Sequence, residues 1–180
     1  MTSLSKRLAQ GLAVSLLLST TLAAAPASAD APQLLGTFKD WAAYTNGTGS
    51  SKVCYALSAP KTTLPAKAKR DPIYFLISNW PGRNAKAEPE IVPGYQYKEG
   101  SSVSAAIGAD RFTFFTKNDG GQGGAWIQNT ADEQRLISTM RNGQEVIVTG
   151  TSKRGTLTTD TYSLGGISDA LDKASSACGM

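Results

Sequence analysis

Apolar and β-branched residues recur along the chain in short runs, at 34–44, 51–58, 72–79, 111–117, 145–152 and 156–164. Weaker runs lie at 90–97, 101–107 and 124–128. Turn formers separate them: Asn46-Gly47, Pro81-Gly82, Pro93-Gly94 and the glycine-rich stretch from Asn118 to Gly124. Short strands this frequent, divided by turn residues, predict a mainly β fold, an antiparallel sandwich- or barrel-like single domain. Residues 59–72 hold Pro60, Pro65 and four basic residues, which predicts a long exposed loop.

Two stretches change the period from two to 3.6. Thr130 followed by Glu133 reads as a capping box, Asp132 and Glu133 suit a helix N-terminus, Arg141 suits a C-terminus, and Gly143 can end the helix. Leu136, Ile137 and Met140 would form its apolar side. The second helix is C-terminal: Ile167, Ala170, Leu171, Ala174 and Cys178 fall on one face. Between the two helices, the segment 150–164 reads as a hairpin. Lys153-Arg154-Gly155 turns, with Gly155 supplying a positive φ, and Arg154 stands at the tip. Asp160 then lies in a threonine-rich strand, where a buried carboxylate needs Thr hydroxyls or an arginine as donors.

The first 29 residues follow a different plan. Lys6 and Arg7 precede an apolar stretch from Leu8 to Leu22, and Ala27-Ser28-Ala29 forms an A-x-A site before Asp30. That is the layout of a secretory signal peptide. Gly11, Ser15, Ser19, Thr20 and Thr21 dilute the apolar stretch too much for a membrane anchor. Residues 1–29 are therefore expected to be removed and residues 30–180 to form the exported domain, with no later segment able to cross a bilayer.

Composition narrows the chemistry. The 180 residues include no histidine and two cysteines, and the formal net charge is +4. Without histidine there is no Ser-His-Asp or Cys-His nucleophile and no HExxH metal site, and two cysteines hold neither a four-cysteine zinc site nor an iron–sulfur cluster. No cofactor and no metal are expected. Loss of Lys6 and Arg7 lowers the net charge to +2, which removes most of the support for nucleic-acid binding. The remaining basic charge is uneven. Seven basic residues between Lys52 and Lys86 face Asp71 alone, whereas the chain from Ala87 onward has eight bases and eleven acids. In an oxidising compartment Cys54 and Cys178 are expected to pair, pinning the C-terminal helix to an early strand.

The residues resemble the invasion-associated locus B family of exported bacterial proteins. The resemblance rests on Phe38-Lys39-Asp40-Trp41, Val53-Cys54, Pro72-Ile73-Tyr74-Phe75 and Gly124-Ala125-Trp126-Ile127. The block from Arg154-Gly155 through Asp160 and Tyr162 to Leu164, the helix at Ala170-Leu171 and Cys178 complete it. It covers nearly all of residues 30–180 in order and implies a small β-sandwich-like periplasmic or envelope protein of a Gram-negative bacterium, in a family named for host-cell entry. Many members carry a further cysteine shortly after the tryptophan; Tyr44 stands in that neighbourhood here.

The reading that follows is a non-enzymatic envelope protein that binds an envelope or host protein or a glycan. Lys61, Lys67, Arg70, Arg83, Lys86 and Arg154 are the candidate contacts, with Tyr95, Tyr97 or Trp80 as aromatic surface; Trp80 reads equally as core, and Trp41 and Trp126 are expected in the core. The alternative is a hydrolase of envelope glycans, which needs two carboxylates and no histidine. Glu88 and Glu90 are its candidates, although they flank Pro89 in what reads as a solvated loop. The stretch from Asn118 to Gly124 has one carboxylate, too few for a calcium site, and is expected to be a hairpin loop.

Overall fold

The computed structural model describes residues 31–180; the signal-peptide reading of residues 1–29 lies outside them. Eleven strands form one antiparallel sheet that does not close: β1 (Gln33–Phe38), β2 (Trp41–Asn46), β3 (Val53–Ser58), β4 (Thr62–Leu64), β5 (Tyr74–Trp80), β6 (Ala85–Val92), β7 (Ser102–Ile107), β8 (Asp110–Asp119), β9 (Gln122–Trp126), β10 (Glu145–Thr151) and β11 (Leu157–Ser163). Their spatial order is β1-β2-β3-β5-β6-β9-β8-β7-β10-β11-β4. The sheet curls over a main core, beside a smaller cluster of Ala43, Cys54 and Ala174. Phe75 of β5 meets Phe114 of β8 and Tyr162 of β11 edge-on, at centroid distances of 6.2 and 5.7 Å. Strands far apart in the order thus bury their side chains together. The sandwich- or barrel-like expectation takes the form of this single folded-over sheet.

Most runs become strands, with three differences. The run 34–44 is a hairpin rather than one strand, because Lys39-Asp40 turns between Phe38 and Trp41, with Lys39 at a φ of 51°. The run 90–97 shifts back: β6 spans Ala85–Val92, and Pro93 ends it. Glu88 and Glu90 therefore belong to a strand, not a loop, and buried Pro89 between them faces the core. Residues 59–72 are not all loop, since β4 pairs with β11 as an edge strand, Thr63 opposite Asp160.

Both helices form. α1 (Thr130–Asn142) buries Leu136 and Met140, but its cap is Asn129, whose side-chain oxygen accepts from the Asp132 N–H at 2.9 Å. The expected box at Thr130 is one residue late. α2 (Ile167–Cys178) buries the predicted Ile167, Ala170, Leu171 and Ala174. Cys178 bonds to Cys54 of β3, the two Cα atoms 5.8 Å apart, so the disulfide anchors α2 to the sheet as expected. No described helix is long and apolar enough to cross a membrane.

Candidate functional site

The site is built around a buried ion pair. Arg70 leaves the end of the segment that carries β4 and reaches Asp160 of β11 with both terminal nitrogens, at 2.6 and 2.7 Å. Its Nε donates to the Pro93 carbonyl at 2.8 Å, and its guanidinium lies 4.9 Å from the Tyr95 ring centroid. The side chains of Arg70 and Asp160 are only 5% and 3% exposed. Burial alone would lower the Arg70 pKa; the Asp160 hydrogen bonds and charge outweigh it and raise it. This arginine is therefore a fixed structural cation, and Asp160 takes the arginine partner rather than threonine donors.

Above that pair lies a cleft of about 270 Å³. Its walls come from Lys69 and Arg70 on one side, Tyr95 and Gln96 on the second, and the β10–β11 hairpin tip with Lys153 and Arg154 on the third. The hairpin forms as the sequence predicts. Gly155 adopts a φ of 84°, its N–H donates to the Ser152 carbonyl at 2.8 Å, and the Ser152 N–H donates to Thr156 O at 2.9 Å. The tip is tied to the opposite wall, because the Lys153 N–H donates to the Gln96 carbonyl at 2.7 Å. Below it, the Tyr95 and Thr158 hydroxyls are hydrogen-bonded at 2.6 Å. Burial pushes the Tyr95 hydroxyl pKa up, against the pull of Thr158 and Arg70.

The electrostatics follow from which charges are already matched. Asp160, beneath the cleft, is neutralised by Arg70, and no carboxylate lines the cleft itself. Lys69, Lys153 and Arg154 are exposed and form no ion pair among the described residues. Three cations with Gln96, Thr156 and Thr158 beside them make a pocket for an anionic group. A wider hollow of about 800 Å³, between the β7–β8 turn and the end of α1, carries only Asp110 and Glu145 as charges.

The structure separates the basic residues singled out in the sequence. Arg70 and Arg154 come together at the cleft, Arg70 as buried support and Arg154 at the rim. Lys67 is exposed on the same segment but does not line the cleft. Lys61 pairs with Asp40, and Arg83 with Glu88 while it covers the Trp80 ring at 4.5 Å. Lys86 lines a different groove, between β6 and α1. Sequence reading left out Lys69 and Lys153 as contacts, although the Lys69-Arg70 doublet and the hairpin tip were the available signals.

The aromatic residues also sort. Trp41 is core, its Nε1 donating to Ser163 O at 2.9 Å. Tyr97 is buried, not surface, and burial raises the pKa of its hydroxyl and of Tyr162's. Trp126 was expected in the core but stands half-buried on the outer face of the sheet, because its partner across β8 is exposed Phe115. Tyr44, where many members of the resembling family have a cysteine nearby, stacks on Tyr55 with centroids 5.4 Å apart. Asn118 holds the start of the glycine-rich turn by bonding the Tyr97 N–H and carbonyl, at 2.8 and 2.9 Å.

A curled antiparallel sheet with a disulfide-anchored C-terminal helix defines a class of small, mainly β fold, here carrying a cationic cleft. In fold, the chain is similar to a solved structure, invasion associated protein B from Bartonella henselae. The match covers 84% of this chain and all of that one, with a TM-score of 0.56 and 12% identity. The resemblance to the invasion-associated locus B family read from the sequence motifs thus holds at the level of the fold. No protein-family model matches the chain, and no curated protein matches it in sequence.

Proposed function

We propose that this is an exported, non-enzymatic protein of the Gram-negative cell envelope that binds an anionic partner, a protein or an envelope component, through the cleft at Lys69, Lys153 and Arg154. The observation that carries this reading is the convergence of three unpaired cations over a guanidinium–carboxylate pair that holds the walls in place. The periplasm or the outer cell surface is its expected location, and the fold shared with an invasion-associated protein supports a part in host-cell contact.

Photo-crosslinking in the producing cells tests the reading. Probes at Lys69 and Arg154 are expected to capture one discrete species, lost when Lys153→Glu reverses the charge between them, while a probe at Lys86 does not capture it. Equal capture from all three positions, or none from folded exported protein, would refute the cleft as the contact.

The hydrolase alternative draws on Glu90, whose pKa is raised by burial and by Glu88. Glu88 and Glu90 lie side by side on one strand and one face, however, whereas glycoside hydrolysis needs carboxyls on either side of the bond to be cut. Release of reducing ends from peptidoglycan, abolished by Glu90→Gln, would install the hydrolase in place of the binding protein.

A further inference from the structure

The outer face of the sheet carries a second set of groups, separate from the basic cleft. On β8 and β9 alternate residues point outward, so Phe115, Lys117 and Asp119 stand opposite Trp126, Gly124 and Gln122. Glu90 of β6 pairs with Trp126 from the other side, and Val92 follows it. The missing side chain at 124 makes room for the indole. A Cβ built on Gly124 would come within 2.2 Å of Trp126 Cη2, so the six-membered ring occupies the place that side chain would take. Phe115, 46% exposed, stacks beside it with centroids 6.0 Å apart and planes tilted by 35°. Glu90, Val92, Lys117, Asp119, Gln122 and Trp126 bound a groove of about 400 Å³.

We propose that this groove binds an uncharged pyranose chain. The apolar C–H face of a sugar ring carries slightly positive hydrogens and suits the electron-rich face of an indole. Around Trp126 stand two carboxylates, an ammonium and a carboxamide, the groups that exchange hydrogen bonds with sugar hydroxyls. The carboxamide is already held, since Gln122 Nε2 donates to Asp71 Oδ2 at 3.0 Å. All of these groups project from paired strands, so little ordering is needed on binding. Two carboxylates against one lysine repel a polyanion, which distinguishes this groove from the cleft. The same carboxylates count against an apolar peptide or a second copy of the chain, because covering them without donors is costly.

Isothermal titration of the full exported chain with chitotetraose, and separately with cellotetraose, tests the site. Saturable binding of at least one is expected, weakened about tenfold or more, about 1.4 kcal/mol, in Trp126→Ala. Phe115→Ala is expected to weaken it less, and thermal melting checks that both variants fold. Lys153→Glu, in the cleft, is expected to leave it unchanged, so this site and the cleft stand or fall separately. Neither sugar binding, equal affinity in Trp126→Ala, or sedimentation showing a dimer that Trp126→Ala dissociates would each overturn the proposal.

Discussion

At the residue scale the decisive feature is the Arg70–Asp160 pair. Asp160 was legible as a buried carboxylate in need of donors, but its partner lies 90 residues away, and no local pattern links the two. The pair removes Arg70 from the surface and positions the cleft above it. Truncating either member leaves the other charge buried and uncompensated. Asp160→Ala and Arg70→Ala are each expected to cost about 3–5 kcal/mol in urea denaturation, with the double variant costing much less than their sum.

A second residue-scale consequence concerns pH. Burial, with help from Glu88, raises the Glu90 pKa above its ordinary 4.5. A carboxyl with a raised folded pKa contributes fully below the unfolded value and loses that contribution as pH rises through the folded one. Asp40 runs the other way: hydrogen bonds from Lys61 and Ser163 lower its pKa, so its contribution is present above 3.8 and lost as pH falls through the folded value. Melting temperatures taken from about pH 4 to about pH 8 should show Glu90→Gln flattening the decline on the rising side. An unchanged profile would mean that Glu90 ionises without cost.

At the scale of elements, the helices were the most legible part, because their periodicity is local. The α2 face was predicted residue by residue, and Cys178 points where that face packs. The 124-residue separation of the two cysteines makes the bridge worth about 4–5 kcal/mol by loop entropy. Reduction is expected to expose the amides of Ile167–Cys178 to hydrogen exchange before those of β10 and β11; unchanged protection of Ile167–Cys178 would show that α2 does not depend on the bridge. The α1 cap was misplaced because Asn129 and Thr130 are both good caps, and only backbone geometry decides between them. Asn129→Ala is expected to cost about 1 kcal/mol and Thr130→Ala a few tenths, by thermal melting. Strand edges were harder to read: within the run 34–44 only the charged pair Lys39-Asp40 marks the turn, and there a non-glycine residue takes a positive φ.

At the scale of the molecule, what the sequence withheld was the order of the strands. Strand existence followed from composition and turns, but the order β9-β8-β7-β10-β11-β4 did not. That order is what brings a segment ending at Arg70 beside a hairpin tip at Arg154. The six basic residues named as candidate contacts therefore divide: Lys61 and Arg83 into surface ion pairs, Lys67 and Lys86 to places outside the cleft, and Arg70 and Arg154 to the cleft. The same curvature leaves Trp126 outside, since alternation along β9 gives Ala125 to the core.

The proposed function requires the cleft to be an anion site. The measurement that tests this most directly is a titration of the 15N-labelled protein with pyrophosphate, followed by amide and side-chain shifts. Saturable shifts confined to Lys69, Gln96, Lys153, Arg154 and Thr156, and absent in Lys153→Glu, are expected. Weak, unsaturated shifts spread equally over Lys61, Lys67 and Lys86, or none at all, would contradict it.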